Sequence, residues 1–336
     1  MRIGVTYDLT SDYLALGMSE EDAAEFDEEI TISSICRALA GLGHAPLRIG
    51  NVTALTQKLA EGERWDAVFN ICEGIAGFAR EAQVPCILEA FGIPSVFSDA
   101  LTLAVALDKG WTKRILRDAG VPTAPFAVIE SPADLAGIDL PYPLFVKPVA
   151  EGSGKGVDAC SRVNNTAELH RAASAVMERF RQPALVETYL PGREFTVGIL
   201  GTGVDARVLG VMEIAPTAKA AGIDYGYENK KYCGDNITYC MVDDAEAIAA
   251  GEVALHSWRA LRCRDGGRID IRSDATGNPQ FVEVNPLAGL RPEYSDLCYL
   301  AAFMGYSYQQ LIGMILESFL KRNPTLAPCT AESCAA

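Results

Sequence analysis

Oxygen-bearing side chains alternate with apolar ones in a stretch near the C-terminal end of the chain. Asp270 lies between two isoleucines, and Glu283 and Asn285 flank a valine, with turn-forming residues between the two runs. This pattern predicts a β-hairpin whose three polar side chains share one face. Two carboxylates and an amide oxygen suit a hard divalent cation such as Mg2+, which also binds substrate phosphates. An edge hairpin with a solvated polar face is the alternative.

A glycine-rich loop follows a short strand predicted at 145–148. From residue 151 it reads Glu-Gly-Ser-Gly-Lys-Gly-Val. Alternate glycines let a backbone approach a phosphate, and Ser153, Lys155 and the loop N–H groups can donate to it. The spacing is not that of a Walker loop. An ordinary flexible turn is the alternative.

Two further glutamates lie beside a turn at Pro191 and Gly192. Glu187 ends a strand predicted at 184–189, and Glu194 begins one predicted at 194–200. Both carboxylates could contact an adenine amino group and a ribose hydroxyl, or they could be solvated rim residues. The following stretch 222–239 is rich in Tyr, Asn, Asp and Gly, which is typical of a functional loop or lid.

The composition limits the class of protein. The chain has 336 residues, 49% hydrophobic and 22% charged, and a formal net charge of -15. Such acidity argues against nucleic acid or an anionic membrane as the main partner. The sequence lacks both an apolar run of about 20 residues and a signal-peptide core, so we expect a cytoplasmic protein. Ten cysteines without a Cys-x-x-Cys pair predict reduced thiols.

The elements that position these residues alternate in type. Strands are predicted at 2–7, 46–49 and 65–71, with helices between them, which favours an open parallel α/β sheet. Ligands of such sheets bind beyond the carboxyl ends of the strands, where Glu73 lies. One helix is predicted over 101–119. The extended segment 121–126 predicts a domain boundary.

Taken in order, these motifs resemble the ATP-grasp superfamily, and most closely its D-alanine–D-alanine ligase group, over about residues 1–320. The resemblance is carried by Asp-Glu-Glu-Ile-Thr at 27–31, Leu-Asp-Lys-Gly-Trp-Thr-Lys at 107–113, Gly-Val-Pro-Thr at 120–123, Phe-Val-Lys-Pro at 145–148, Val-Glu-Thr-Tyr-Leu-Pro-Gly-Arg-Glu-Phe-Thr-Val-Gly at 186–198, Gly-Arg-Ile-Asp at 267–270 and Val-Glu-Val-Asn-Pro at 282–286.

The resemblance implies a mixed α/β and α+β architecture: an ATP-grasp fold preceded by an open parallel α/β domain. The expected units are an N-terminal domain at 1–120, a central subdomain at 121–200, a C-terminal subdomain at 201–322 and a tail at 323–336. ATP would lie between the central and C-terminal subdomains. A homodimer is expected from the family alone.

The resemblance also assigns roles to positions that match the family motifs. ATP phosphates would contact Lys109, Lys147 and the loop residues Gly152 and Ser153. Lys155 departs from the family pattern and could add a phosphate contact. Adenine and ribose would contact Glu187, Leu190 and Glu194. Lys231 and Tyr232 would lie in the loop that folds over the site. Asp270, Glu283 and Asn285 would ligate Mg2+, as two ions, with Mn2+ able to substitute.

The implied reaction has two steps. A substrate carboxylate attacks the γ-phosphate to give an acyl phosphate, and an amine then displaces phosphate to leave an amide. Arg268 and the Gly289 N–H would stabilise the oxyanion. Glu29 would recognise the ammonium of the first amino acid.

Two departures from the family pattern lie where the substrates would bind. Glu73 replaces a histidine, and Phe78 and Ala79 replace a Glu-Asp pair. On the second-substrate side, Arg291 and Tyr294 stand where a small hydroxyl residue is usual, and Arg291 could bind a carboxylate. We therefore expect a carboxylate–amine ligase with altered amino-acid specificity. The alternatives are a true D-alanine–D-alanine ligase, a small-molecule kinase without an amine acceptor, and a nucleotide-binding module without catalysis.

Overall fold

The computed structural model describes residues 1–152, 154–216 and 237–326, and these residues form three sheets. No helix in these ranges is both long enough and apolar enough to cross a membrane. The predicted mixed α/β architecture is confirmed.

The first sheet is entirely parallel, as the alternation of strands and helices predicts. Its strand order is β2-β1-β3-β4, with β1 in the interior. Its elements, in chain order, are β1 (Arg2–Tyr7), α1 (Thr10–Ala15), α2 (Glu29–Gly41), β2 (Ala45–Gly50), α3 (Val52–Ala60), β3 (Ala67–Ile71), α4 (Gln83–Ala90) and β4 (Ser95–Val96). A 3-10 turn, Arg80–Ala82, lies just before α4.

The helix predicted over 101–119 is two helices, α5 (Ala100–Leu107) and α6 (Lys109–Asp118). Asp108 breaks the run, since its backbone is extended and its side chain accepts a hydrogen bond from the Trp111 N–H at 2.9 Å. Asp in this position caps a new helix and does not continue the old one. The break places Lys109 at the first turn of α6.

The second sheet is antiparallel and small, with strand order β5-β8-β6-β7. Helix α7 packs on it. Its elements are β5 (Phe126–Ile129), β6 (Leu144–Pro148), β7 (Arg162–Val163), α7 (Thr166–Phe180) and β8 (Ala184–Thr188), with a 3-10 turn at Pro132–Gly137.

The third sheet has five antiparallel strands in the order β11-β10-β9-β12-β13. Its elements, with the helices that cover it, are β9 (Glu194–Leu200), β10 (Arg207–Pro216), β11 (Ile237–Met241), α8 (Ala245–Ala260), β12 (Gly266–Ser273), β13 (Pro279–Asn285), α9 (Asp296–Phe303) and α10 (Tyr308–Arg322). Short 3-10 turns occur at Gly203–Asp205 and Pro324–Leu326.

Strand β9 was grouped with the central unit in the sequence analysis, but its hydrogen bonds place it in the third sheet, between β10 and β12. The chain therefore passes from the second sheet to the third between residues 188 and 194. The domain limits themselves stay a prediction. Most of the predicted lid at 222–239 lies outside the described residues, and its last three residues begin β11.

The hydrophobic cores join the first and third sheets, and a smaller cluster connects Leu185 of the second sheet with Leu107 of α5. Ile3, Val5 and Phe69 of the first sheet share one buried cluster with Leu200 and Leu209 of the third. The second sheet has a core of its own, formed with α7. The first and third sheets therefore share one continuous interior.

Asp265 ties the first and third sheets together at a single buried point. It is 0% exposed and has φ +67, a left-handed conformation that Asp tolerates better than most residues. Its carboxylate accepts hydrogen bonds from the Phe97 N–H at 2.8 Å, Arg322 at 2.7 Å and Ser318 at 3.1 Å. These donors come from the end of β4 and from α10.

Candidate active site

Strands β12 and β13 form the hairpin that the sequence predicts, and their register fixes the polar face. Asp270 lies opposite Glu283, and Arg268 lies opposite Asn285. Directly opposed residues of an antiparallel pair point to the same side. The three predicted metal ligands therefore lie on one face of the sheet together with Arg268.

Both carboxylates of this face lie beside cations. Arg268 donates a short hydrogen bond to Asp270 and also lies 3.7 Å from the Asp296 carboxylate. Burial lowers the pKa of Arg268, but the attraction of Asp270 and Asp296 outweighs it and holds that pKa above its ordinary value. On the other side, the Lys109 ammonium lies 3.3 Å from Glu283. A divalent cation would share these oxygens with two protein cations.

The donor set fits a hard cation that also holds a phosphate. The described ranges contain no group of three or more His, Cys, Asp or Glu side chains able to hold a metal. The two carboxylates and Asn285 offer only oxygen ligands, and the buried Asn285 side-chain nitrogen has no hydrogen-bond partner in the described chain. Phosphate oxygens and water would have to complete the coordination shell, as is usual for Mg2+.

A buried charge triad lies under the nucleotide side. The two oxygens of Glu187 lie 2.7 Å from the Lys147 ammonium and 2.8 Å from that of Lys113. Burial raises the pKa of Glu187, but the two lysines outweigh it and lower that pKa to about 2. An adenine contact by this carboxylate would therefore displace a lysine. Lys113 was not among the predicted site residues, although its i,i+4 spacing from Lys109 on one helix was a usable signal.

A cavity of about 100 Å3 lies over this triad, between the second and third sheets. Apolar residues line part of it, and cationic and acidic residues line the rest, which suits a base and a polyphosphate. Leu190 is not among the lining residues. The cavity is lined by Lys109, Phe145, Lys147, Pro148, Glu151, Gly154, Lys155, Val157, Glu194, Thr196, Ile214, Arg268, Asp270, Arg272, Val282, Glu283 and Asp296.

The glycine-rich loop is held against the first sheet. The Gly152 N–H donates to Glu25 at 2.5 Å, and a Cβ at Gly152 would come within 2.9 Å of the same oxygen. Lys155 lies 3.1 Å from Glu151 and 3.2 Å from Asp22. Ser153 lies outside the described residues, as do Lys231 and Tyr232.

A second cavity, of about 120 Å3, adjoins the first. It brings together the predicted residues Glu73, Arg268 and Gly289. The two cavities share four lining residues: Lys109, Glu151, Arg268 and Glu283. The second cavity is lined by Glu25, Glu73, Glu81, Ala106, Leu107, Lys109, Glu151, Gly152, Arg268, Glu283, Val284, Asn285, Pro286, Leu287 and Gly289.

Glu25 and Glu81 were missed by the sequence analysis. Glu25 forms a buried ion pair with Arg80 at 2.8 Å. Glu81 is 9% exposed, and its carboxylate has no hydrogen bond or ion pair to the described part of the chain. Burial raises the pKa of Glu81 to about 7, although Arg80 opposes the shift. Burial, with repulsion from Glu81 and Glu25, raises the pKa of Glu73 well above its usual range.

The structure places Glu29 away from both cavities. Its carboxylate is exposed and pairs with Arg48 at 2.6 Å. The neighbouring Glu28 points the other way, and its carboxylate lies 2.6 Å from Arg291. Glu28 is the N-cap of α2 and Glu29 is its first helical residue, so the turn of the helix separates the two side chains.

Arg291 lies on the exit from β13, near the second cavity. Its guanidinium stacks 4.6 Å from the centre of the Tyr294 ring, and its backbone N–H donates to the Ser295 hydroxyl at 3.0 Å. Tyr294 is 55% exposed. The two residues therefore form an open rim, and Glu28 occupies the guanidinium that the sequence analysis assigned to a substrate carboxylate.

The chain is similar to known proteins along most of its length. Residues 115–317 match the family model described as D-ala D-ala ligase C-terminus. A D-alanine–D-alanine ligase of Gluconobacter oxydans is 34% identical over 289 residues, which is 85% of this chain and 91% of that protein.

Solved structures share the fold. The D-alanine–D-alanine ligase of Bacillus anthracis complexed with ATP has a TM-score of 0.71 at 22% identity and covers 97% of this chain and 100% of its own. The VanG D-Ala:D-Ser ligase of Enterococcus faecalis has a TM-score of 0.72 at 20% identity and covers 95% and 99%.

Proposed function

The chain belongs to the D-alanine–D-alanine ligase family, and from this premise we propose that it is an ATP-dependent ligase that joins the carboxylate of one amino acid to the amine of another. The observation that carries the proposal is the junction of the two cavities. One has the residue types that suit a nucleotide, the other is small and polar, and Lys109, Arg268 and Glu283 belong to both. A phosphoryl group passing from one ligand to the other would pass at these residues.

The nucleotide would lie in the cavity over the buried triad. Lys109 and Lys147 would neutralise phosphate charge, with Lys155 reaching from the glycine-rich loop. Asp270, Glu283 and Asn285 would hold Mg2+, which supplies charge neutralisation on the transferring phosphoryl group. Glu194, which lies 3.5 Å from Arg272, would contact the ribose.

The proposed reaction has two steps. A carboxylate oxygen of the first amino acid attacks the γ-phosphorus, the bond to the β-phosphate oxygen breaks, and ADP leaves. The amine of the second amino acid then attacks the acyl carbon, loses a proton and expels inorganic phosphate. Arg268 and the Gly289 N–H, which lie in the cavity wall, would stabilise the oxyanion between these events.

The amino-acid specificity of this chain differs from that of a D-alanine–D-alanine ligase in our proposal. Three features support the difference: Glu73 in the wall of the second cavity, and Arg291 and Tyr294 at its rim. A ligase that makes D-alanyl-D-alanine is the second candidate, because the Gluconobacter oxydans relative carries that name. The homodimer expected from the family also stays a prediction, which a mass measurement in solution would check.

Phosphate release from Mg-ATP with single D- and L-amino acids and with their pairs tests the proposal, with products identified by mass. We expect release only when a carboxylate donor and an amine acceptor are both present, with a product of dipeptide mass. Turnover of D-alanine alone to its dipeptide at the highest rate in the panel would favour the second candidate. Release of ADP with a single acid and no amide product would overturn the ligase proposal and indicate a kinase.

A further inference from the structure

The second cavity holds more negative charge than its own cations compensate. Three of its carboxylates have cationic partners: Glu25 pairs with Arg80, Glu151 with Lys155 and Glu283 with Lys109. Glu73 and Glu81 have none among the described residues.

Burial makes an unpaired carboxylate energetically unfavourable. Glu81 is more than nine-tenths buried and lines the cavity, yet no donor in the described chain reaches its oxygens. A buried carboxylate is stable when it is paired or hydrogen-bonded, and otherwise it is destabilised by loss of hydration. The nearby cations compensate the charges of Glu73 and Glu81 only in part, because Arg80 pairs with Glu25 and Lys109 pairs with Glu283. The two carboxylates are therefore arranged to receive positive charge from a ligand.

An organic cation accounts for this arrangement more directly than a metal ion does. The described residues contain no cluster of three or more candidate metal ligands, although Glu25, Glu73 and Glu81 line one cavity. The proposed ligase reaction itself supplies an organic cation, the ammonium group of an amino acid. One α-ammonium group can neutralise only one of the two carboxylates, which leaves the other for a second amine.

The position of the cavity limits the ligand further. Because Arg268, Asn285 and Gly289 line the same cavity, the ligand would have its carboxylate close to the junction with the nucleotide cavity.

We infer that the amino acid activated by this enzyme is a diamino acid, whose α-ammonium and side-chain ammonium bind Glu73 and Glu81. The inference rests on the proposed ligase function and names the substrate class of its first site. It makes the two carboxylates specificity residues and leaves the phosphoryl and acyl transfer steps unchanged.

The test compares diaminobutyrate with norvaline, which carries a methyl group in place of the side-chain ammonium and has nearly the same shape. Both enantiomers of each would be supplied to the full-length enzyme with Mg-ATP and a panel of amine acceptors. We expect kcat/KM for diaminobutyrate to exceed that for norvaline by at least about 10-fold, as a buried charge-assisted contact predicts. Equal values, or a preference for norvaline, would overturn the inference.

Glu81→Gln and Glu73→Gln test the residues themselves. Each keeps the size of the side chain and removes its charge. The variant that loses the carboxylate of the side-chain ammonium should reduce the preference for diaminobutyrate to below about 3-fold, whereas the variant that loses the carboxylate of the α-ammonium should lower kcat/KM for both amino acids. Glu61→Gln, at an exposed position after α3, is the matched control and should leave the preference unchanged. A preference that survives in both cavity variants would contradict the assignment.

Calorimetry separates failure of the inference from failure of the proposed function. Diaminobutyrate would be titrated into the protein with Mg2+ and a non-hydrolysable ATP analogue. Binding that is lost in Glu81→Gln, without turnover with any acceptor, would support the inference and count against the ligase proposal. Dipeptide formation from neutral amino acids, without diaminobutyrate binding, would do the opposite.

Discussion

The two cavities that meet at Lys109 handle charge in opposite ways. Around the nucleotide cavity every acidic side chain lies beside a protein cation, as with Glu187 between Lys113 and Lys147. In the amino-acid cavity, Glu73 and Glu81 have no cation of their own in the described chain. The first arrangement is complete without a ligand, whereas the second is incomplete. Under the proposed function, the difference would make the nucleotide site preorganised and leave the amino-acid site dependent on its ligand for charge balance.

We expect the largest effect on activity at Lys147. We expect Lys147→Met to lower kcat by about 10²–10³-fold, because the variant loses a phosphate contact and one of the two cations on Glu187. Phosphate release in the presence of the preferred substrate pair is the measurement. Lys321→Met, at an exposed lysine of α10, is the control. Activity within a few-fold of the parent would show that Lys147 does not act on the nucleotide.

Variants at Arg291 test whether the open rim that Arg291 forms with Tyr294 binds the second amino acid. We expect Arg291→Met to raise KM for the second amino acid by about 10-fold with little change in kcat, since one charge-assisted contact is lost. Glu28→Gln is the companion variant, because it frees the guanidinium that Glu28 holds at 2.6 Å. If this variant lowers KM for the same substrate, Glu28 competes with it. A KM unchanged in both variants would place the second substrate elsewhere.

Two buried carboxyls also predict a pH-dependent stability. Burial raises the pKa of Glu81 and of Asp27 to about 7, so the folded protein holds more protons than the unfolded chain between their ordinary values and 7. The free energy of unfolding of the ligand-free protein therefore falls as the pH rises from about 5 to 8.

Thermal unfolding at both pH values measures this effect. We expect the melting temperature to fall by about 2–4 °C, and we expect a smaller fall in Glu81→Gln, whose amide does not titrate. A melting temperature that rises over the same interval would show that these carboxyls are ionised at low pH and paired.

The smallest effect is expected at Glu29. Its pairing with Arg48 is exposed, so Glu29→Gln should cost no more than about 1 kcal/mol of stability and change kcat/KM by less than about 2-fold. Kinetics with the preferred substrate pair would check this. A large loss of activity would indicate that Glu29 binds the ammonium of the first amino acid, as the family motif implies, and would contradict its position in the structure.

The sequence was most informative where chemistry depends on local order. The alternation around Asp270 and Glu283 predicted the hairpin, because strand periodicity alone decides which side chains share a face. The same holds for the parallel sheet, whose strands alternate with helices at regular spacing. The break at Asp108 could also have been read from the sequence, since Asp is a common N-cap.

The rest of the site depends on long-range contacts that no local pattern records. Glu25 and Glu81 are 56 positions apart in the sequence, and they meet only because the segment before α2 and the turn before α4 line the same cavity. The choice between Glu28 and Glu29 depends on where α2 begins, and one residue of difference pairs the carboxylate with Arg291 or with Arg48.

The buried Asp265 sets which parts of the molecule can serve as a hinge. It holds the end of β4 and helix α10 to the third sheet through contacts that solvent does not reach. Rotation of the first sheet against the third would break these bonds, whereas the second sheet has a separate core. Under the proposed function, a swing of the second sheet that admitted a nucleotide would have to turn about the segments 119–125 and 189–193, where Pro122 and Gly192 are hydrogen-bonded to Phe281 and Ser273 of the third sheet.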